Sequence, residues 1–235
     1  MKPVTFFPRF NNLSSESLNV DFHLHSTWTD GKNTVSEMIN SAQNNLLNSI
    51  AITDHIRKES VYFDRYEEEI KSLDSKCELN VYVGFEAKVA DFIGNIDVKK
   101  DLVKRADIAI VSVHRFPLGS KLYKASDFKK EIAQEIELEL SLAALNKGGF
   151  NVLGHAGGMS EIHFREFPVN FYEEIIYKCL HNEIAFDLSG RYHKKKLDIL
   201  YPLLKKYNPF VAIGSDSHNI KPLGRWNKQL KEHIL

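Results

Sequence analysis

Short apolar runs alternate along this chain with longer segments whose apolar residues recur every three or four positions. The short runs have the length and composition of buried strands, and the longer segments have the spacing of amphipathic helices. We predict seven strands, at residues 20–25, 49–54, 79–89, 107–113, 151–153, 183–188 and 210–214. The first helix predicted between them begins at residue 34, and the others cover residues 60–73, 99–105, 126–146, 168–180 and 195–207. Strand and helix therefore alternate along most of the chain.

Residues that begin or end helices support several of these boundaries. Thr34 and Glu37 have the spacing of a capping box, and Ser126 is a suitable N-cap for the long fourth helix. The pair Gly148-Gly149 ends that helix. Pro168 fits the first turn of the next helix, because the N–H that proline lacks would be unpaired there.

The alternation of strand and helix predicts an α/β fold with parallel strands and right-handed crossovers. Seven strands with polar residues at their carboxyl ends favour a closed or nearly closed TIM-like (β/α)7 barrel whose active face lies at those ends. The alternative is a doubly wound open sheet, which would cluster its polar residues at one switch point instead. With 235 residues, 43% of them hydrophobic, the chain is long enough for a full core, and we predict a single domain over residues 1–235.

The first strand and the loop after it contain three side chains that commonly bind metals. His23 and His25 are two residues apart in a strand, so they point to one face, while Phe22 and Leu24 point to the other. Asp30 follows on a loop in which the next residue, a glycine, permits a sharp turn. Taken alone, a His-x-His pair is more often a coincidence than a metal site.

Similar side chains follow nearly every later strand, and a barrel would bring them to one rim. Six of the ten histidines of the chain belong to this set. The candidate metal ligands are His23, His25, Asp30, His55, Glu86, His114, His155, Asp216 and His218. The other histidines, which we predict to be ordinary surface or loop residues, are His163, His181, His193 and His233.

These residue types suit divalent cations. Neutral imidazoles and carboxylates bind Zn, Mn or Fe, and nine such groups exceed what one ion can use, so two or three metal ions are implied. Taken singly, His114 and His155 could be satisfied core histidines, and His55 could simply follow a strand. Glu86 ends an apolar strand, where burial without a cation would be expensive.

Composition limits which partners the protein can bind and the cellular compartment in which we expect it. Lys and Arg together equal Asp and Glu in number, so no net positive charge would attract nucleic acid, and we consider nucleic acid an unlikely partner. The basic residues that accumulate after residue 190 are interpreted as solvated helix faces. Two cysteines are too few for a disulfide framework, and no apolar run is long enough for a signal sequence or a membrane span. We therefore expect a cytoplasmic protein.

Several of these motifs, taken together and in order, resemble those of the polymerase and histidinol phosphatase (PHP) superfamily of metal-dependent phosphoesterases. The matching segments are His23-Leu24-His25 with Asp30, Thr53-Asp54-His55, Gly84-Phe85-Glu86, His114, Gly154-His155 and Ser215-Asp216-Ser217-His218. The resemblance implies a distorted (β/α)7 barrel with a trinuclear site. It also implies that Glu86 bridges two metals, one held by His23, His25 and Asp216 and the other by His114 and His155, while Asp30, His55 and His218 hold the third.

The reaction that such a site favours is hydrolysis of a phosphomonoester of a small metabolite. Clustered cations lower the pKa of a bound water, which provides hydroxide at neutral pH, and they neutralise phosphate oxygens. Arg115 follows a candidate ligand and Arg191 follows the sixth strand, so both are candidates to bind the substrate phosphate through paired N–H donors.

Other functions stay open at this stage. Histidinol phosphatases of the superfamily usually have an acidic residue two positions after the histidine of Gly-His, where this chain has Gly157, so the substrate alcohol is not defined. The main alternative is a phosphodiesterase or exonuclease that acts on nucleotides or single-stranded nucleic acid. An amidohydrolase also opens with His-x-His but lacks counterparts of His55, Glu86 and His218. A non-catalytic module is disfavoured because every expected ligand is present.

Overall fold

The computed structural model describes residues 1–75 and 77–234, and a seven-stranded parallel sheet forms its centre. The strands are β1 Val20–Leu24, β2 Ser49–Ile52, β3 Asn80–Lys88, β4 Ile108–Ser112, β5 Phe116–Leu118, β6 Lys121–Tyr123, β7 Val152–Leu153, β8 Ala185–Ser189 and β9 Val211–Gly214. The sheet has the order β1-β2-β3-β4-β7-β8-β9, while β5 and β6 form a separate antiparallel hairpin. Each neighbouring pair in the large sheet is parallel, as the alternation predicts.

Helices connect these strands. They are α1 Val35–Asn44, α2 Phe63–Asp74, α3 Lys100–Arg105, α4 Lys130–Lys147, α5 Gly158–Phe164, α6 Val169–His181, α7 Gly190–His193, α8 Leu197–Tyr207 and α9 Arg225–Ile234. The capping box at the start of α1 is confirmed, because the Thr34 side chain accepts from the Glu37 N–H and the Glu37 side chain accepts from the Thr34 N–H. In the described part of the chain, no helix combines the length and the apolar character needed to span a bilayer.

The sheet closes into a nearly complete barrel where its first and last strands meet. Leu24 pairs with Ser217 in a parallel bridge, and the His25 N–H donates to the Ser217 carbonyl oxygen at 3.0 Å. At the other end of β9, the N-terminal arm takes the place of a neighbouring strand, since the Val211 N–H donates to the Pro8 carbonyl oxygen at 3.0 Å. The barrel interpretation is confirmed over the open-sheet alternative.

Two apolar clusters hold the barrel together. The larger one lies between the strands and the surrounding helices. The smaller one takes residues from six strands and fills the barrel interior below the site, where Phe7 of the N-terminal arm packs against Phe22. The arm therefore closes the end of the barrel opposite the candidate metal ligands.

Strict alternation along β1 was the wrong expectation. Phe22 belongs to the interior cluster, whereas Leu24 packs in the outer one. Asp21 pairs with Ile50 and Leu24 with Ile52, so β1 has one residue more than β2 between these pairs, which is a β-bulge. The bulge lets Phe22 fill the bottom of the barrel while the side chain after it, His23, reaches the rim.

The predicted start of the long helix was also wrong. Residues Ala125–Asp127 form a 3-10 turn, and α4 begins four residues after Ser126. Asp127 stabilises this turn by accepting a hydrogen bond from the Lys124 N–H at 2.8 Å. The helix ends as predicted, at Gly148 with φ +66°.

Candidate metal centre

The nine candidate ligands lie at the carboxyl ends of the barrel strands and face one centre. His23 and Glu86 lie within β1 and β3, and the other seven follow the ends of β1, β2, β4, β7 and β9. His23, His25, Glu86, His155 and Asp216 are buried. The side chain of Asp30 is 52% exposed, so the solvent side of the centre lies there.

Glu86 occupies the middle of the cluster. Its two carboxylate oxygens face five imidazoles at 3.0 to 3.6 Å. The nitrogens facing Oε1 are His23 Nε2, His114 Nε2 and His155 Nε2, and those facing Oε2 are His25 Nε2 and His55 Nδ1. A carboxylate whose two oxygens face different sets of histidines has the arrangement of a bridging ligand.

The two aspartates occupy opposite sides of His25. Asp216 Oδ1 lies 3.2 Å from His25 Nε2 and 3.9 Å from His23 Nε2. Asp30 lies on the other side, 3.8 Å from His25 Nδ1 and 3.4 Å from His55 Nε2. His218 Nε2 completes this side at 3.2 Å from Asp30 Oδ2.

The donor atoms fall into three groups, each compact enough for one cation. The groups are His23, His25 and Asp216; His25, Asp30, His55 and His218; and His55, Glu86 and His114. The first two agree with the sets implied by the family resemblance, with His25 added to the second. The third group differs from the set that the resemblance implies, because it contains His55 in place of His155. His155 is nevertheless close to this group, since its Nε2 lies 3.0 Å from Glu86 Oε1.

Unpaired nitrogens provide a test of whether these residues fit metal ions. His23 Nε2, both ring nitrogens of His25, and His55 Nδ1 are buried and have no hydrogen-bond partner among the described residues. Carboxylate oxygens face all of them at ion-pair distance but outside hydrogen-bond geometry. Buried imidazole nitrogens are normally satisfied, so nitrogens left open toward carboxylates have the arrangement of a cation site. The donor set fits divalent metals.

Burial and mutual charge control the protonation of the cluster. Burial raises the pKa of Glu86, but the facing imidazoles of His114 and His23 outweigh it and hold this pKa well below its usual range. Burial lowers the pKa of His25 to about 4 and also lowers that of His114. At His23, His55 and His155 burial is outweighed by the facing carboxylates, which raise the pKa, that of His55 to about 9. Ionised carboxylates and neutral imidazoles are the forms that bind metals.

Sequence reasoning missed the residue that orients two of the candidate ligands. Asp187, buried in β8, accepts a hydrogen bond from His23 Nδ1 at 2.9 Å and another from the His155 N–H at 3.1 Å. The first bond keeps a proton on Nδ1, so the lone pair of His23 Nε2 faces Glu86. The available signal was an aspartate in the middle of an otherwise apolar strand.

A second buried carboxylate anchors the loop that contains Asp30. Asp54 accepts hydrogen bonds from the Ser26 N–H at 3.0 Å, from Ser26 Oγ at 2.7 Å and from Thr29 Oγ1 at 2.6 Å. The sharp turn at Gly31 does not use a positive φ. The glycine is needed for space instead, since a Cβ there would lie 2.1 Å from the His25 carbonyl oxygen.

Two of the candidate ligands hold unusual backbone conformations. His155 has φ +25° and Asp216 has φ +53°, a region that side-chain-bearing residues rarely adopt. Such strain is retained where surrounding contacts overdetermine the position, and it is frequent at functional sites.

The two candidate phosphate-binding arginines differ in position. Arg191 Nη1 lies 3.3 Å from Asp216 Oδ2 and 3.2 Å from His218 Nδ1, so its guanidinium touches the cluster. Arg115 is exposed beside His114, and its one hydrogen bond among the described residues, at 3.4 Å, goes to the His114 carbonyl oxygen.

One of the four histidines assigned to the surface was misplaced. His193 is fully buried, with Nε2 donating to the Ala156 carbonyl oxygen at 2.9 Å and Nδ1 accepting from the Ser189 N–H at 3.1 Å. It ties the end of β8 to the loop after His155. The other three are exposed, as expected.

Comparisons with known proteins agree with this geometry. The model of the PHP domain family matches residues 21–195. A protein of Caldicellulosiruptor bescii named "Probable phosphatase" is 27% identical over 214 residues, which are 88% of this chain and 83% of that protein. The DNA polymerase/3'-5' exonuclease PolX of Bacillus subtilis is 22% identical over 213 residues, 86% of this chain but 35% of that protein.

A solved structure has the same fold. The histidinol phosphate phosphatase of Lactococcus lactis subsp. lactis, crystallised with zinc, L-histidinol and phosphate, superposes with a TM-score of 0.69 at 20% identity. The superposition covers 92% of each chain. The barrel therefore extends over nearly the whole length of both proteins.

Proposed function

Because this chain belongs to the PHP domain family, we propose that it is a metal-dependent phosphatase that hydrolyses a phosphomonoester of a small metabolite, in the manner of the histidinol phosphatases. The observation that carries the proposal is the Glu86 carboxylate between five imidazoles, with unpaired nitrogens directed at carboxylates. The matching relative named as a phosphatase supports the reaction class.

The proposed cofactors are three divalent ions, Zn, Mn or Fe. His23, His25 and Asp216 would hold one, Asp30, His55 and His218 another, and His114 and His155 the third, with Glu86 bridging. When bound, such ions supply an activated water near neutral pH and positive charge for the phosphate oxygens. Asp187 orients His23 and His155, and Asp54 orders the Asp30 loop, so these two carboxylates keep the ligands in place.

Two arginines are proposed to bind the phosphate oxygens. Arg191 is the better placed, because its guanidinium lies beside Asp216 and His218 at the exposed side of the cluster. A guanidinium offers paired donors to a phosphate and stays charged at every relevant pH. Arg115 lies beside His114 and would contact the substrate from the opposite side.

The proposed catalytic domain extends over residues 1–235. The family match ends at residue 195, before β9. Strand β9 nevertheless adjoins β1, and Asp216 and His218 follow it. The segment after residue 195 is therefore part of the same barrel and of the same site.

The function is tested by assaying zinc- or manganese-loaded protein on p-nitrophenyl phosphate and on its bis ester. We expect turnover of the monoester and a preference for it. Charge stabilisation in such sites amounts to several kcal/mol, so Glu86→Gln should lower kcat/KM about 1,000-fold and reduce the bound metal. Glu173→Gln, which removes a surface carboxylate paired with Lys206, is the matched control and should have no effect. No turnover of either ester by metal-loaded protein would refute the proposal.

The second candidate is a phosphodiesterase or exonuclease. The matching segment of the Bacillus subtilis polymerase and exonuclease favours it. The zero net charge of this chain argues against a long polyanionic substrate. A strong preference for the bis ester, together with salt-dependent binding of single-stranded DNA, would favour this candidate over the monoesterase.

A further inference from the structure

A cavity of about 650 Å³ opens from the exposed side of the metal cluster. Asp30, Asp216 and His218 of the cluster line it, and so do Arg225, Trp226 and Gln229 of α9. Its volume lies within the range of about 300–1,000 Å³ that is typical of small-molecule sites. The part of a substrate that is not cleaved would therefore extend into this cavity.

The cavity is lined by four cations. They are Lys32, Arg191, Lys194 and Arg225. Its only carboxylates are Asp30 and Asp216, both of which belong to the cluster and would be neutralised by metal. Within the described residues, Arg191 is the one of the four cations that forms an ion pair, so the other three have charge available for a ligand.

Backbone contacts place the main chain of Lys32 and Lys194 beside the cavity, and Arg225 begins a helix there. The Lys32 N–H donates to the His218 carbonyl oxygen at 2.8 Å, which attaches this lysine to the segment that contains a ligand. The Lys194 carbonyl oxygen accepts from Gln229 Nε2 at 3.3 Å, which joins the end of α7 to α9. Arg225 begins α9, where the helix dipole adds further positive potential.

We propose that this cavity binds a second anionic group of the substrate, so that the preferred phosphomonoesters also carry a carboxylate or another phosphate. The inference rests on the proposed phosphatase function and narrows it to a substrate class. Arg191 would contact the phosphate that is cleaved, and Lys32, Lys194 and Arg225 would bind the second anion. A cationic tail would be disfavoured by the same three charges.

The adjoining cavity, of about 520 Å³, shares Arg191 and Lys194 with the first one. It is also basic, because Arg165, Lys195 and Lys196 line it, and of these Lys196 pairs with Glu161 at 3.1 Å. None of the nine candidate ligands lines it. A substrate bound at the cluster would therefore reach the first cavity directly and the second only past Arg191.

Non-hydrolysable phosphonates test the proposal by calorimetry on zinc-loaded protein. The series is propylphosphonate, 3-phosphonopropionate, 1,3-propanediphosphonate and 3-aminopropylphosphonate, which differ in the charge of the tail. We expect the carboxylate and the second phosphonate each to improve affinity about tenfold over propylphosphonate, and the amine to weaken it. The two anionic compounds distinguish a carboxylate site from a phosphate site.

Variants assign the effect to the cavity. In Lys32→Gln/Arg225→Gln protein, the affinity ratio between the anionic and the neutral-tailed phosphonates should fall several-fold, because Lys194 would be the one cation left for the second anion. Lys228→Gln, on α9 but outside the cavity, should keep the ratio. Equal affinities across the series, or a ratio unchanged in the double variant, would overturn the inference. Failure to hydrolyse p-nitrophenyl phosphate would instead overturn the proposed function, while the calorimetric ranking would still decide whether the cavity binds anions.

Discussion

The orientation of the Glu86 carboxylate affects the geometry of the whole candidate site. Its Oε1 accepts a hydrogen bond from Ser112 Oγ at 2.5 Å, so a neighbouring strand fixes the orientation of the carboxylate. Five imidazoles face this carboxylate, and the hydrogen bond from Ser112 determines its orientation toward them. Ligand geometry at this centre therefore depends on β3 and β4 keeping their register.

Asp187 offers a test of how far one residue without metal contact controls the site. Asp187→Asn retains the shape but loses the charge that holds the proton on His23 Nδ1. Because such partners typically contribute about 10–100-fold to metal affinity, we expect a loss of that size in competition with a chelating dye. Asp198→Asn, at a fully exposed aspartate, is the control. An affinity equal to that of the unaltered protein would show that His23 needs no such support.

At this scale, the sequence indicates the candidate ligands that follow strands but not the residues that support them. His55 and His114 each come directly after an apolar run, and this position predicts the rim of a barrel. Asp187 and Asp21 lie inside strands. Asp187 accepts from His23 Nδ1 and Asp21 from the Ser215 N–H, each more than 160 positions away in sequence, so local pattern gave no indication of these two contacts. His193 was misassigned because it lies among arginine and lysine residues that resemble a solvated segment.

Helix α7 contains one buried residue whose side chain forms hydrogen bonds to two neighbouring segments. His193 bridges the Ser189 N–H and the Ala156 carbonyl oxygen, which requires a neutral ring with its proton on Nε2. Burial lowers the pKa of His193 to about 4 from its usual value of 6.5. The loop after β7, which contains His155, is thereby joined to the end of β8.

Acid should weaken this connection. A histidine pKa that is lower in the folded than in the unfolded state stabilises the fold above pH 6.5, and this contribution is lost as the pH falls toward 4. The full contribution of this pKa difference to the free energy of unfolding is about 3 kcal/mol. We expect the His193→Gln variant to be less stable than the unaltered protein at pH 8. Between pH 7 and pH 5, however, its free energy of unfolding should fall by less. Urea denaturation of both proteins in EDTA measures these differences. Parallel pH dependences would contradict this role.

Elements with strong periodicity were predicted, and those stabilised by tertiary contacts were not. Helix α1 has both a capping box and a regular apolar stripe. Helix α9 buries only Trp226, Asn227 and Leu230, and the Trp226 Nε1–H donates to the Leu188 carbonyl oxygen, a contact that no local pattern indicates. Ser126 has the chemistry of an N-cap, but the turn at Ala125–Asp127 delays the helix.

The barrel as a whole is held at its rim by groups from the first strand to the last. His25 after β1 and Asp216 after β9 face each other at 3.2 Å, so a cation between them would connect the two strands that close the sheet. Without metal, the same rim contains buried nitrogens that lack hydrogen-bond partners. Metal is therefore expected to stabilise the closed barrel.

Metal removal tests this expectation. An ion at a free concentration 100 times its Kd adds about 2.7 kcal/mol to folding stability, which corresponds to a rise in Tm of about 5–10 °C for a chain of this size. Scanning calorimetry with and without EDTA should show at least this difference, and Glu86→Gln should show a smaller one. Identical Tm values would mean that the rim does not need cations to stay closed.

Closure between β1 and β9 also has a consequence during synthesis on the ribosome. A nascent polypeptide presents His23 and His25 early, yet their partner Asp216 is translated almost two hundred codons later. Until that stretch has left the exit tunnel, the early histidines cannot acquire their full coordination. Loading of the proposed metal ions would therefore be a late event, and a truncation product that stops short of residue 216 would lack one of the proposed ligands.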